Sequence, residues 1–106
     1  MLLAWTTVAN QADAHRIASD VIARNLAVCV QVDGPITSHY RWHGRDAHEQ
    51  EYRLCFKLLP SHAEILERHV LSMHPYDTPE WIVVEAAKVG EKYLSWAEAN
   101  STTPPL

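Results

Sequence analysis

The sequence predicts an α/β (α+β) sandwich in which helices cover one face of an antiparallel sheet. Two observations lead there. Segments alternating apolar and polar residues interleave with segments whose apolar residues recur every three or four positions, in the order β-α-β-β-α-β plus a short C-terminal helix. The length, 106 residues with 47% hydrophobic and 21% charged, suits one domain with a real core and little apolar surface to spare.

The elements follow in order. Leu2 to Val8 is a short apolar run rich in strand-forming residues. Asn10 reads as a helix N-cap with Asp13 in the place of a capping-box acid, and Ala14, Ile17, Ala18, Val21 and Ile22 form one apolar helix face. Asn25 is the stop signal. Leu26 to Asp33 is expected as the second strand, with Leu26, Val28, Val30 and Val32 facing one way and Ala27, Cys29 and Gln31 the other. Gly34-Pro35 reads as a bulge or bend, after which alternation resumes through Ile36, Ser38, Tyr40 and Trp42. Gly44-Arg45-Asp46 is the expected turn, and Glu49 to Leu59 the returning strand.

Pro60-Ser61 opens the second helix, with Ser61 as N-cap and Glu64 completing a capping box. Its buried stripe is Ala63, Leu66, Val70 and Met73. Trp81 to Ala87 is the fourth strand, Gly90 ends it, and Glu91 to Ala99 forms the last helix. Residues 101–106, with two prolines, read as a tail of the single 1–106 domain. Two crossover units of this kind most simply make a ferredoxin-like sandwich, here with an unusually long hairpin between the second and third strands. Helices would then cover only one sheet face. The other face carries Cys29 and Trp5, and the hairpin carries Tyr40, Trp42 and Tyr52. Uncovered aromatic surface of this kind points to a further copy of the chain.

Between the second helix and the fourth strand lies His74-Pro75-Tyr76-Asp77-Thr78-Pro79-Glu80-Trp81. Each proline locks its own φ and disfavours helix at the residue before it, so the segment is stiff. A stiff loop that presents an imidazole, a phenol and carboxylates between two rigid elements is suited either to holding a ligand or to aiming the strand that follows.

Composition excludes several classes. A formal net charge of −4, with acids and bases mixed along the chain, provides no footprint for nucleic acid. No run approaches a membrane span, and the N-terminus lacks a signal-type segment. Cys29 and Cys55 are too few for a disulfide scaffold, which points to a reduced, cytoplasmic protein. Nothing marks a catalytic nucleophile, a phosphate loop or an oxyanion device, so no catalytic residue is assigned.

Five blocks occur in order and at characteristic spacing: Leu26-Ala27-Val28-Cys29-Val30, Ser38-x-Tyr40-x-Trp42-x-Gly44, Glu51 with Lys57, His74-Pro75-Tyr76-x-x-Pro79-Glu80, and Tyr93-Leu94-x-Trp96. With these the chain resembles the CutA divalent-cation-tolerance family from its first strand to its last helix. The resemblance implies a ferredoxin-like protomer, a homotrimer shaped like the PII signalling proteins, no established reaction, and a link to copper and other divalent cations. Of the positions to which copper ligation is attributed in the family, this chain keeps a histidine at His74 and has Trp5 and Met73 at the others.

The candidate metal ligands are therefore His74 and Cys29, with copper or another divalent ion as the group they would hold. Tyr40, Trp42, Glu51, Lys57, His74, Tyr76 and Glu80 are the residues expected around an inter-subunit cleft. Two functions fit this set. One is a non-enzymatic, trimeric divalent-cation protein. The other is a PII-like trimeric sensor whose clefts take a small anionic metabolite.

Overall fold

The computed structural model describes residues 1–102. Four strands, β1 (Leu2–Val8), β2 (Cys29–Trp42), β3 (Arg45–Leu58) and β4 (Ile82–Glu85), form one antiparallel sheet in the order β2-β3-β1-β4. Three helices, α1 (Gln11–Ala23), α2 (Ala63–Met73) and α3 (Glu91–Asn100), complete a ferredoxin-like α/β architecture. Of the expected tail, residues 103–106 lie outside the described residues.

The core lies between the sheet and helices α1 and α2. Alternation along β1 and β3 turns Ala4, Thr6, Val8, Leu54, Phe56 and Leu58 towards the helices, where Ala14, Ile17, Val21, Leu66 and Val70 meet them. Each of these side chains is essentially removed from water, which stabilises the fold by about 1.5–3 kcal/mol for a large aliphatic or aromatic group. Helix α1 begins as expected: the Asn10 side-chain oxygen accepts from the Asp13 backbone N–H at 2.8 Å. It ends in a Schellman motif. Asn25 stands at φ 57°, the Leu26 N–H donates to the Val21 carbonyl, and the Asn25 N–H donates to that of Ile22. His69 of α2 bonds Asp20 of α1, which also receives Arg24, so the two helices are joined by a polar clasp at their outer edge.

Three expected boundaries move, each for a local reason. The second strand starts at Cys29 rather than Leu26, because the Leu26 N–H closes the helix cap and the first cross-strand bond comes from the Val28 N–H to the Lys57 carbonyl. The hairpin turns on His43-Gly44 rather than on 44–46, with φ of 50° and 73°, and Trp42 pairs with Arg45. A two-residue turn that follows sheet twist needs two positive-φ residues, and glycine and histidine supply them. The strand after it therefore runs from Arg45. The Ser61 capping box does not form. Pro60–His62 makes a 3₁₀ turn ahead of α2, which places Ser61 inside that turn, where its hydroxyl meets His62 Nδ1 at 3.1 Å.

Gly34 is placed as the sequence implies. The register shifts between the Asp33–Arg53 and Ile36–Glu51 pairs, and Gly34 stands in the bulge at φ 150°. A Cβ there would lie 2.9 Å from the Glu51 carbonyl oxygen and 2.8 Å from Tyr52 Cδ1. Beyond the bulge the hairpin continues in unbroken register to its tip, and its outer strand β2 is a sheet edge. The fourth strand is shorter than expected, four residues at the other edge, and Trp81 precedes it with its ring packed 5.7 Å from that of Phe56.

Candidate functional site

Where the hairpin leaves the body of the sheet, the loop after α2 folds against it and encloses a cleft of about 930 Å³. The hairpin supplies Ser38, Tyr40, Trp42, Glu49 and Glu51, with His39 of the alternate ribbon face at the border, β1 adds Thr7, and the loop supplies Pro75 through Glu80. Alternation explains the hairpin side. Ser38, Tyr40, Trp42, Glu49 and Glu51 share one face of a two-stranded ribbon, in which Ser38 pairs with Glu49.

The loop is tied at both ends of its first turn. The Tyr76 backbone N–H donates to His74 Nδ1 at 3.1 Å, so the ring proton sits on Nε2. Nε2 lies 3.0 Å from the Thr7 carbonyl oxygen and 3.0 Å from the Thr6 hydroxyl, and that hydroxyl donates to the Glu80 carbonyl at 2.7 Å. His74 thus joins both ends of the loop to β1. Burial, partly offset by the bond to Thr7, holds its pKa below the ordinary value and keeps the ring neutral. Further along, the Tyr76 phenol donates to Glu51 Oε2 at 2.8 Å, fastening the loop to β3. Burial first, and the Glu51 carboxylate second, raise the Tyr76 pKa well above the usual phenol value. Tyr40 is raised too, by desolvation and then by Glu49.

Five of the seven expected cleft residues come together here: Tyr40, Trp42, Glu51, Tyr76 and Glu80. His74 stands behind the wall, with its ring 5.1 Å from that of Tyr76. Lys57 is elsewhere. It alternates with the buried Phe56 and Leu58, so it projects from the face away from α1 and α2, where its ammonium lies 5.5 Å from the Tyr93 ring centroid. Cys29 pairs with Lys57 across the ladder on that same face, half-buried and unbridged, one diagonal step from Cys55, whose own partner is Gln31. The two candidate metal ligands, His74 and Cys29, are therefore on different sides of the sheet, and both nitrogens of the His74 ring are already engaged.

Sequence reasoning did not single out Glu49 or Thr6, and it named Asp77 only as one of the loop's carboxylates. Glu49 was legible from its spacing of two from Glu51, which puts both on one strand face. Thr6 had a fainter signal, a hydroxyl among Ala4 and Val8 on the buried face of β1, where it must find a partner.

The cleft wall holds four carboxylates, Glu49, Glu51, Asp77 and Glu80, and neither lysine nor arginine. Among the described residues no three His, Cys, Asp or Glu side chains already converge to hold a metal. A family model, "CutA1 divalent ion tolerance protein", matches residues 2–100. The chain belongs to the CutA1 family. A divalent-cation tolerance protein CutA of Yersinia pestis is 35% identical over 94 residues, which is 89% of this chain and 79% of that protein. The solved divalent cation tolerance protein of Thermus thermophilus superposes with a TM-score of 0.90 at 31% identity, covering 96% of this chain and all of the other (100%). CutA1 from Oryza sativa does so with a TM-score of 0.90 at 32% identity, over 95% of this chain and 93% of its own. The CutA1 fold thus extends from β1 to α3.

Proposed function

We propose that this chain is a non-enzymatic, homotrimeric, cytoplasmic CutA protein that binds divalent cations, and that the acidic cleft is where they are held. The observation that carries this reading is the charge of the wall: four carboxylates with no lysine or arginine among them. Glu51 uses one oxygen for Tyr76 and keeps the other for a cation. Because no three donors already converge, a bound ion would retain part of its water shell, as hard divalent ions do when few protein oxygens reach them. The alternative ligand, a small anionic metabolite, meets like charge in the same place.

Assembly is supported by exposed apolar side chains in two groups. Trp42 at the hairpin is 53% exposed, and Ile82 and Trp96 on β4 and α3 are 51% and 44% exposed. In a trimer these would be covered, and the unpaired edge of β2 would be shielded. Cys29 and Cys55 are unbridged, as a reducing compartment would keep them.

The test is native mass spectrometry of the reduced protein with and without Cu(I), Cu(II) and Zn(II), together with the Glu51→Gln/Glu80→Gln double variant. A trimer that takes up discrete ions, fewer of them in the variant, is the expected result. A chain that remains monomeric, or whose uptake ignores both carboxylates, would overturn the reading.

A further inference from the structure

Outside the cleft's carboxylates, the hairpin carries a pair of histidines directly opposite one another. His39 of β2 and His48 of β3 are cross-strand partners, both exposed, with ring centroids 5.4 Å apart and planes inclined by 30°. We infer that this pair is a bidentate site for a borderline divalent transition ion such as Zn(II), Cu(II) or Ni(II), distinct from the carboxylates of the cleft.

Geometry carries the inference. Directly opposed residues in an antiparallel pair hold their Cβ atoms about 4.5–5.5 Å apart. A zinc–imidazole bond is about 2.0–2.1 Å, so two ligating nitrogens on one ion stand roughly 3 Å from each other. Rings already side by side at 5.4 Å reach that spacing by rotation about χ1 and χ2, which exposed side chains undergo freely on a picosecond to nanosecond scale. The backbone beneath them does not need to move, because the ladder is continuous from Ile36–Glu51 to Trp42–Arg45 and the His43-Gly44 turn closes it. The first imidazole therefore presents the second at a set distance.

The surroundings are permissive. On the same ribbon face, the neighbouring pair towards the bulge is Thr37 with Gln50, which is uncharged. Towards the tip it is Arg41 with Asp46, joined at 3.1 Å, so a carboxylate accompanies the guanidinium beside the histidines. Ligand type sets the class of ion. Imidazole suits zinc, copper and nickel, whereas magnesium and calcium seek oxygen. Solvent would complete the coordination, leaving the ion open to exchange.

The experiment uses the full chain, freed of metal with a chelator, and titrates Zn(II), then Mg(II), while the histidine side chains are followed by nitrogen–proton correlation NMR and binding is measured by calorimetry. Zn(II) should shift the imidazole signals of His39 and His48 together, and Mg(II) should not. His39→Ala and His48→Ala should each weaken Zn(II) binding by at least the 10–100-fold, approximately, that losing an outer-sphere partner costs at known sites. Glu51→Gln should leave the Zn(II)-induced shifts of the two imidazole signals intact, whatever it does to uptake by the carboxylates, which separates the pair from the cleft. Zn(II) that leaves both imidazole signals unmoved, or affinity unchanged in both single variants, would overturn the inference. So would Zn(II) binding that is lost in Glu51→Gln and kept in His48→Ala, although that outcome would support the cleft reading.

Discussion

The phenol of Tyr76 donates to Glu51 Oε2 at 2.8 Å, joining residues 25 positions apart and closing the loop after α2 onto the hairpin. The bond is half-buried and its acceptor is a carboxylate, so it belongs among the stronger hydrogen bonds of the molecule. Tyr76→Phe should destabilise the protein by about 1.5–3 kcal/mol, the range for a bond to a charged group. Urea unfolding measures it, and an unchanged midpoint would show that the loop is held without this bond.

The His74 ring gives the stability a pH dependence. It is half-buried and neutral in the native protein, with its pKa held below the ordinary value by desolvation, whereas the unfolded chain protonates near 6.5. Below about that pH the unfolded state binds more protons, so this contribution to stability falls with pH and levels off once the lowered native pKa is passed. Stability curves between about pH 7 and 5 should therefore slope less steeply in His74→Gln than in the parent. Parallel curves would show that the acid sensitivity does not come from His74.

Gly34 permits the bulge from which the long hairpin extends. A Cβ at this position would meet the Glu51 carbonyl oxygen at 2.9 Å, on a backbone at φ 150°. Gly34→Ala should cost roughly 1–3 kcal/mol, the scale of one residue held in a strained conformation. Because the Glu51 carbonyl must give way along with Tyr52, the cleft should loosen as well, read as faster hydrogen exchange at Tyr76.

Trp42 tests the proposed assembly. It stands at the hairpin tip, 53% exposed, with its ring edge-on to that of His43 at 5.0 Å. If the hairpin packs on a neighbouring subunit, Trp42→Ala should weaken the trimer by about 2 kcal/mol or more, the effect of removing a central aromatic anchor. Sedimentation at falling concentration reads this, and a trimer as tight as the parent would place the tip outside the interface.

Much of the fold was legible because two periodicities write themselves into the chain. β1, α1 with its Asn10 and Asn25 ends, and the buried faces of β3 and α2 all follow from spacing. Turn and cap chemistry was harder to read. The choice between His43-Gly44 and the residues after it depends on which pair adopts positive φ, and the loss of the Ser61 cap depends on a 3₁₀ turn begun by Pro60. Both are settled by a few tenths of a kilocalorie to about one kilocalorie per mole of local preference, which the rest of the fold readily outweighs.

By itself, the sequence determined the order of elements, the stiff loop between α2 and β4, and five side chains that meet around one cleft. Tertiary structure decided what those side chains do. Only the packing of the loop against β1 engages His74 Nε2, only the strand register sends Lys57 to the far face, and only the hairpin ladder sets His39 opposite His48. The physical reason is common to all three. Periodicity along a chain says which face a residue occupies, but hydrogen-bond partners and opposed pairs depend on register between segments far apart in sequence.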